Sequence, residues 1–153
     1  MDAVTAILDD HRLLEDLFDR LAGAKSRDRE RLFAELKVRF GVHTTAEESL
    51  VYPALLVHHD GEGSEVHHGI REHRLAEAKL AEIDAADADE FIAALRDFTA
   101  SARHHIAEEE GEILPALRAA IPPDRLRELG QDFETRRVSV LNRAGLDWSV
   151  CAR

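Results

Sequence analysis

His105 and Glu109 stand four residues apart, and so do His43 and Glu47; in a helix that spacing puts an imidazole and a carboxylate one turn apart on one face, able to reach a common point. The two pairs sit in the same frame. His105-Ile106-Ala107-Glu108-Glu109-Glu110-Gly111-Glu112-Ile113-Leu114-Pro115 repeats His43-Thr44-Thr45-Ala46-Glu47-Glu48-Ser49-Leu50-Val51-Tyr52-Pro53 at an offset of 62 residues. Asp10-His11-Arg12-Leu13-Leu14-Glu15 and Glu72-His73-Arg74-Leu75-Ala76-Glu77 repeat at the same offset. Two matches at one offset indicate an internal duplication, each copy carrying a lone histidine and, about thirty residues later, His-x3-Glu. Folded face to face, the copies would gather four imidazoles and at least two carboxylates around one interior point. That is a metal site with room for two ions.

A single histidine on an apolar stripe is ordinarily a satisfied core residue. Four of them with duplicated spacing, two paired with glutamate, favour metal, because burying several carboxylates without a cation costs about several kcal/mol each. Imidazole with carboxylate suits iron, manganese or zinc over magnesium or calcium. The pattern predicts a dinuclear centre with His11, His43, His73 and His105 as terminal ligands and Glu47 and Glu109 as bridges. Glu15 and Glu77 each lie one turn beyond a ligand histidine, and three roles are open to them: metal ligand, carboxylate orienting a histidine, or solvated residue at a bundle edge. His104 is turned roughly 100° from His105 and is expected in solvent or at an interface. His58, His59, His67 and His68 read as surface residues rather than as a second metal site. Tyr52, the single tyrosine, has Leu114 as its counterpart; packing is its plainer reading, and a redox or hydrogen-bonding group near the metal is the other. The run Glu108-Glu109-Glu110 reads as a solvated face with one inward member.

The elements that must position these residues are legible as amphipathic helices. Val4, Ile7, Leu14, Leu17, Phe18 and Leu21 share a stripe with His11, and Gly23 offers an exit. A second helix starts near Ser26 or Asp28 and runs through Leu32, Phe33, Leu36, Phe40, His43, Glu47, Leu50 and Val51 toward Leu56. Gly41, Thr44 and Thr45 lower its propensity beside His43, and Pro53 is expected to bend or end it. His59 to Ser64 is a loop between the copies. A third helix takes Val66 to about Ile83, with Ile70, His73, Leu80 and Ile83 inward and Glu77 beside them. After a turn over Ala85–Asp89, a fourth carries Phe91, Ile92, Leu95, Phe98, Ala102, His105, Glu109 and Ile113. Pro122-Pro123 opens a short fifth helix from Asp124 to about Arg137, and Val138 to Arg153 shows no period. The expected architecture is all-α: an up-down-up-down four-helix bundle over residues 1–137, with ligands on facing helices, and a tail over 138–153 that could act as a lid or subunit contact.

Composition bounds the partners. Lys and Arg number 20 against 31 Asp and Glu, a formal charge of −11, which argues against nucleic acid and anionic membranes. No apolar run approaches the roughly 20 residues of a membrane helix, and the N-terminus does not resemble a signal peptide, so a cytoplasmic protein is expected. The one cysteine, Cys151, excludes an internal disulfide or a cysteine-based cluster; metal chemistry here uses nitrogen and oxygen. Oligomeric state is left open.

From Val4 to about Arg137 the chain resembles the hemerythrin-like, or HHE cation-binding, family, on the order His, His-x3-Glu, His, His-x3-Glu with proline ten residues after each motif histidine. The resemblance implies a four-helix bundle around a non-haem di-iron centre, oxo- or hydroxo-bridged, with manganese or zinc as other metals of the same donors. It places His11, His43, Glu47, His73, His105 and Glu109 at the family's ligand positions. The pattern departs from the oxygen-carrying hemerythrins, which have a fifth histidine where Glu77 stands and His-x4-Asp where this chain has His105-x3-Glu109. It is closer to relatives implicated in iron or oxygen sensing, nitric oxide and peroxide handling, and iron–sulfur repair. The expectation is a protein that binds or reduces dioxygen, peroxide or nitric oxide. A non-enzymatic sensor or iron-binding module, and a di-iron oxidase or oxygenase with an organic substrate, are the alternatives; whether it is an enzyme stays open.

Overall fold

The computed structural model describes residues 1–58 and 63–148. Most of the expected loop, with His59, and the end of the tail, with Cys151, lie outside the described residues. Among the described residues the chain is helical and contains no strand. The first helix, α1 (Ala3–Ala22), begins at Asp2, whose carboxylate accepts the Thr5 N–H at 2.8 Å, a side-chain cap on an otherwise orphaned donor. α2 (Ser26–Ala46) passes through a wide turn, Glu47–Val51, into α3 (Tyr52–His58). α4 (Ser64–Ala85) leads by a short turn to α5 (Phe91–Glu108), which passes through a matching wide turn, Glu109–Ile113, into α6 (Leu114–Ala120); α7 (Pro123–Arg143) completes the fold.

Ion pairs report the directions. Lys79 meets Asp97, and His68 meets Glu108, so α4 and α5 run antiparallel. Arg103 of α5 meets Glu15 and Asp19 of α1, and Lys37 of α2 meets Asp84 of α4. The four rods thus alternate in direction, as the amphipathic segments and short connections require. α7 lies along the outer face of α1 and α2, where Leu126, Leu129, Phe133 and Leu141 are buried. Gly130 lets this helix cross the N-terminal backbone: a Cβ there would stand 2.6 Å from the Asp2 carbonyl carbon and 2.7 Å from the Met1 oxygen.

Two of the expected boundaries differ. The fifth helix is not short; it runs 21 residues, to Arg143. Its buried stripe includes Gly130 and Arg137, so its apolar period is hidden in the sequence. The second rod does not end at Pro53 but continues to His58. Its Tyr52 N–H bonds back five residues to the Glu47 carbonyl, and Leu114 does the same to Glu109. Proline two places inside the following segment has no N–H and crowds the carbonyl four residues back; one extra residue in the turn absorbs both, a π-type bulge of the kind common at functional sites.

The core has two apolar halves. Ile7, Ala46, Tyr52, Val66, Ile113, Leu117 and Phe133 belong to one, and Leu14, Phe18, Phe40, Ala76, Leu95 and Phe98 to the other. His11 on α1 falls between Ile7 and Leu14, and the other motif residues fall between the same two halves. A polar layer therefore crosses the middle of the bundle.

A candidate metal centre

The structure brings His11, His43, Glu47, His73, His105 and Glu109 together in that layer, all at most 4% exposed. The wide turns start at Glu47 and Glu109, so the backbone distortion lies directly beneath the two carboxylates. Glu47 reaches His43 Nε2 at 2.9 Å and His73 Nε2 at 3.2 Å; Glu109 reaches His11 Nε2 at 3.3 Å and His105 Nε2 at 3.5 Å. Each glutamate thus touches one histidine from each copy. The donor atoms form two sets, His11, His43, Glu47 and Glu109, and Glu47, His73 and His105, within 4.8 Å of one another in each and sharing Glu47.

The outer nitrogens decide what the inner ones can do. His43 Nδ1 lies 2.8 Å from Asp10, His11 Nδ1 2.9 Å from Glu110, His73 Nδ1 2.8 Å from Glu48, and His105 Nδ1 2.7 Å from Glu72. An ionised carboxylate only accepts, so Nδ1 carries the hydrogen and the Nε2 lone pair of each neutral ring points inward. His73 Nε2 and His105 Nε2 are 2.9 Å apart and need either a proton on one or a cation between them. His11 Nε2, His43 Nε2, both oxygens of Glu47 and Oε2 of Glu109 are buried without a hydrogen-bond partner. Orphaned polar atoms are rare in a folded interior, and five converging on one layer, all lone-pair donors, are what a bound cation satisfies. The residues present fit a metal.

The electrostatics agree. Burial works against charge on His43, but the Glu47 and Asp10 carboxylates overcome it and raise this imidazole well above its ordinary value. Burial opposes charge on His105 too, and Glu109, Glu47 and Glu72 push it up to about 9. Glu109, despite its burial, is held well below the usual carboxylate range by His105 and His11. Tyr52 donates to Glu109 Oε1 at 3.1 Å and stacks on the His73 ring at 5.7 Å; burial and the Glu47 and Glu109 carboxylates push its hydroxyl upward, so it remains a donor. It both packs and bonds at the cluster.

Glu15 and Glu77 are not part of the cluster. Glu15 pairs with Arg103 at 2.7 Å and Glu77 with Arg74 at 3.1 Å, both partly exposed; of their three open roles, the geometry matches that of residues at a bundle edge. On α4 the inward face uses Val66, Gly69, His73, Ala76, Leu80 and Ile83, so the place beyond His73 goes to the residue three along rather than four. Ile70, expected inward, is only half-buried. The carboxylates that orient the histidines are Asp10, Glu48, Glu72 and Glu110, which sequence reasoning did not single out. Their signal was present, because Asp10 and Glu72, and Glu48 and Glu110, each stand 62 residues apart. Glu110, expected in solvent, is half-buried against His11 and Arg12. Of the remaining histidines, His58, His67, His68 and His104 are exposed as expected, and His59 lies outside the described residues.

Comparison with known proteins places this arrangement. A crystal structure of a hemerythrin HHE cation binding domain-containing protein from Mycobacterium kansasii superposes with a TM-score of 0.84 at 23% identity, over 94% of this chain and 90% of that one, which shows the same fold. An uncharacterized hemerythrin-like protein of Schizosaccharomyces pombe is 29% identical over 133 residues, 84% of this chain. The chain spans 66% of that relative's length, just under two thirds. Among the described residues no helix is long and apolar enough to cross a membrane. Residues 2–117 match the family model of the Hemerythrin HHE cation binding domain, and the chain belongs to that family.

Proposed function

We propose that the cluster holds two iron ions and that the protein binds or reduces a small oxidant, dioxygen, hydrogen peroxide or nitric oxide, in the cytoplasm. The observation that carries this reading is that Glu47 and Glu109 each reach a histidine from both copies while Glu47 belongs to both donor sets. The donors suit iron, manganese or zinc, and iron is the choice here because handling an oxidant needs a metal that changes oxidation state. Bound iron would supply the electrons and an open coordination position. The chain's residues supply the rest. Asp10, Glu48, Glu72 and Glu110 fix each ring's tautomer and direction. The burial of all six residues leaves little room for a bulky molecule, which favours a diatomic or peroxide ligand over an organic substrate. Tyr52 holds a proton at Glu109, beside the place where a reduced ligand would need one.

The test is metal content per chain in protein from iron-replete medium, with absorption spectra after anaerobic reduction and after exposure to each oxidant. Two irons per chain and near-ultraviolet bands that vanish on reduction and return on oxidation are expected, and His43→Ala should lose both metal and bands. Zinc alone, or a spectrum indifferent to every oxidant, would overturn the reading. A second reading, a sensor without turnover, is favoured by the wide turns and by Gly41, Thr44 and Thr45 just before the first of them, which weaken the helix around His43. Sensing requires that metal loading or oxidation change the helix content of these turns without catalytic consumption of the oxidant.

A further inference from the structure

Three of the four carboxylates that orient the histidines are held from behind by arginine. Asp10 meets Arg137 at 3.0 Å, Glu48 meets Arg74 at 2.7 Å, and Glu110 meets Arg12 at 3.0 Å. The fourth, Glu72, has no arginine among its ion pairs within the described residues. While its Oε2 accepts from His105, its Oε1 faces His68 Nε2 at 3.1 Å and His104 Nε2 at 3.5 Å. The same two nitrogens reach Glu108, His68 at 2.9 Å and His104 at 3.1 Å. Where the other three carboxylates have a permanent cation, this one has two imidazoles and a further carboxylate.

This quartet is not a product of the duplication. Sixty-two residues earlier stand Ala6, Asp10, Val42 and Ala46, buried under α7, which brings Arg137 to Asp10. The equivalent outer face of α4 and α5 bears His68, Glu72, His104 and Glu108, with His68 and His104 exposed. His68 and Glu72 lie one turn apart on α4, and His104 and Glu108 one turn apart on the antiparallel α5, so four side chains converge from two rigid helices. Ligands at about 2.0–2.1 Å from a tetrahedral ion are separated by about 3.3–3.4 Å. The nitrogen-to-oxygen separations span 2.9–3.5 Å, with Glu108 turning Oε2 to His68 and Oε1 to His104; donor atoms of His68, Glu72 and Glu108 lie within 4.8 Å of one another, and His104 flanks them.

We propose that His68, Glu72, His104 and Glu108 form a surface site for one divalent first-row transition ion, separate from the interior cluster and joined to it through Glu72. Two imidazoles and two carboxylates select zinc-like or ferrous-like ions over calcium and magnesium. The bound ion takes the place that arginine occupies behind Asp10, Glu48 and Glu110, and its positive charge offsets the two facing carboxylates.

The test is cobalt(II) titration of the metal-loaded protein, followed by visible absorption and by metal content after gel filtration, alongside the double variant His68→Ala/His104→Ala. Both side chains are exposed, so the variant is expected to fold and to keep its interior metal. The wild type should bind one more cobalt per chain than the double variant, with nitrogen-ligated d–d bands absent from the variant, and zinc should displace that cobalt while a tenfold excess of magnesium does not. Because the readout is the difference between two proteins with the same interior, it stands apart from which metal the interior holds. Equal cobalt uptake by both proteins, or magnesium displacing the ion as readily as zinc, would overturn the proposal.

Discussion

Stripping metal from the interior should make stability fall as pH rises, opposite to the usual behaviour of a protein rich in paired carboxylates. Without a cation among them, the cluster's carboxylates draw protons onto the histidines. His105 is carried from an ordinary 6.5 to about 9, and His43 moves in the same direction. A group whose folded value lies above its unfolded one adds stability that is complete below the unfolded value and is lost as pH rises through the folded value. The window therefore runs from about pH 6.5 to about pH 9. For His105 alone the shift corresponds to about 3 kcal/mol, a large share of the roughly 5–15 kcal/mol that holds a typical domain together. In a domain of this size that is a fall in Tm of roughly 6–12 °C. In the loaded protein, on the proposed assignment, Nε2 would bond to metal rather than to a proton, so the slope over this window should vanish. The assay is thermal and urea unfolding of chelator-treated and loaded protein in steps between those two pH values, with His105→Gln as the control that should flatten the stripped protein's slope. A stripped protein as stable at the upper end as at the lower, or a slope that survives in His105→Gln, would refute the reasoning.

Asp10→Asn removes the charge shared by His43 and Arg137, both buried; about 3 kcal/mol of stability and about 10–100-fold in metal affinity should be lost, read by denaturation and chelator competition. Glu15→Gln and Glu77→Gln break only surface pairs with Arg103 and Arg74 and should leave metal per chain unchanged; loss of an ion from either would return that residue to the ligand set. Gly41→Ala puts a methyl where nothing lies within 4 Å and should stabilise by about 0.5–1 kcal/mol. Gly130→Ala drives a methyl into the Met1–Ala3 backbone and should destabilise by about 1–3 kcal/mol despite the same gain in propensity; equal Tm shifts for the two would show that the N-terminus does not pack as described.

The helices were legible because their buried faces repeat, and the motif residues because the duplication states them twice. What stayed hidden was rotation about a helix axis. Residues three and four beyond His73 straddle its direction, and nothing local to Ala76 or Glu77 says which turns inward; packing of α4 against α5 decides. The orienting carboxylates were hidden for a related reason. Glu48 and Glu110 follow the cluster's glutamates by one residue, a placement that in a regular helix points away, and they reach the opposite copy's histidines across the bundle. The wide turns had a visible cause in Pro53 and Pro115, but a proline alone does not distinguish a kink from an inserted residue. The length of α7 was masked because Arg137, which reads as a surface residue, is buried to serve Asp10.

Duplication makes the two halves of the cluster equal in donors, and α7 makes them unequal in circumstance. His43 is walled by Phe133 at a ring distance of 6.0 Å and backed by Asp10 and Arg137, whereas behind His105, among the described residues, stand Glu72, the exposed imidazoles of His68 and His104, and Glu108. Metal held by such a cluster would meet unlike surroundings on its two sides. Two like copies alone have no front or back; α7, packed on α1 and α2, gives this molecule both.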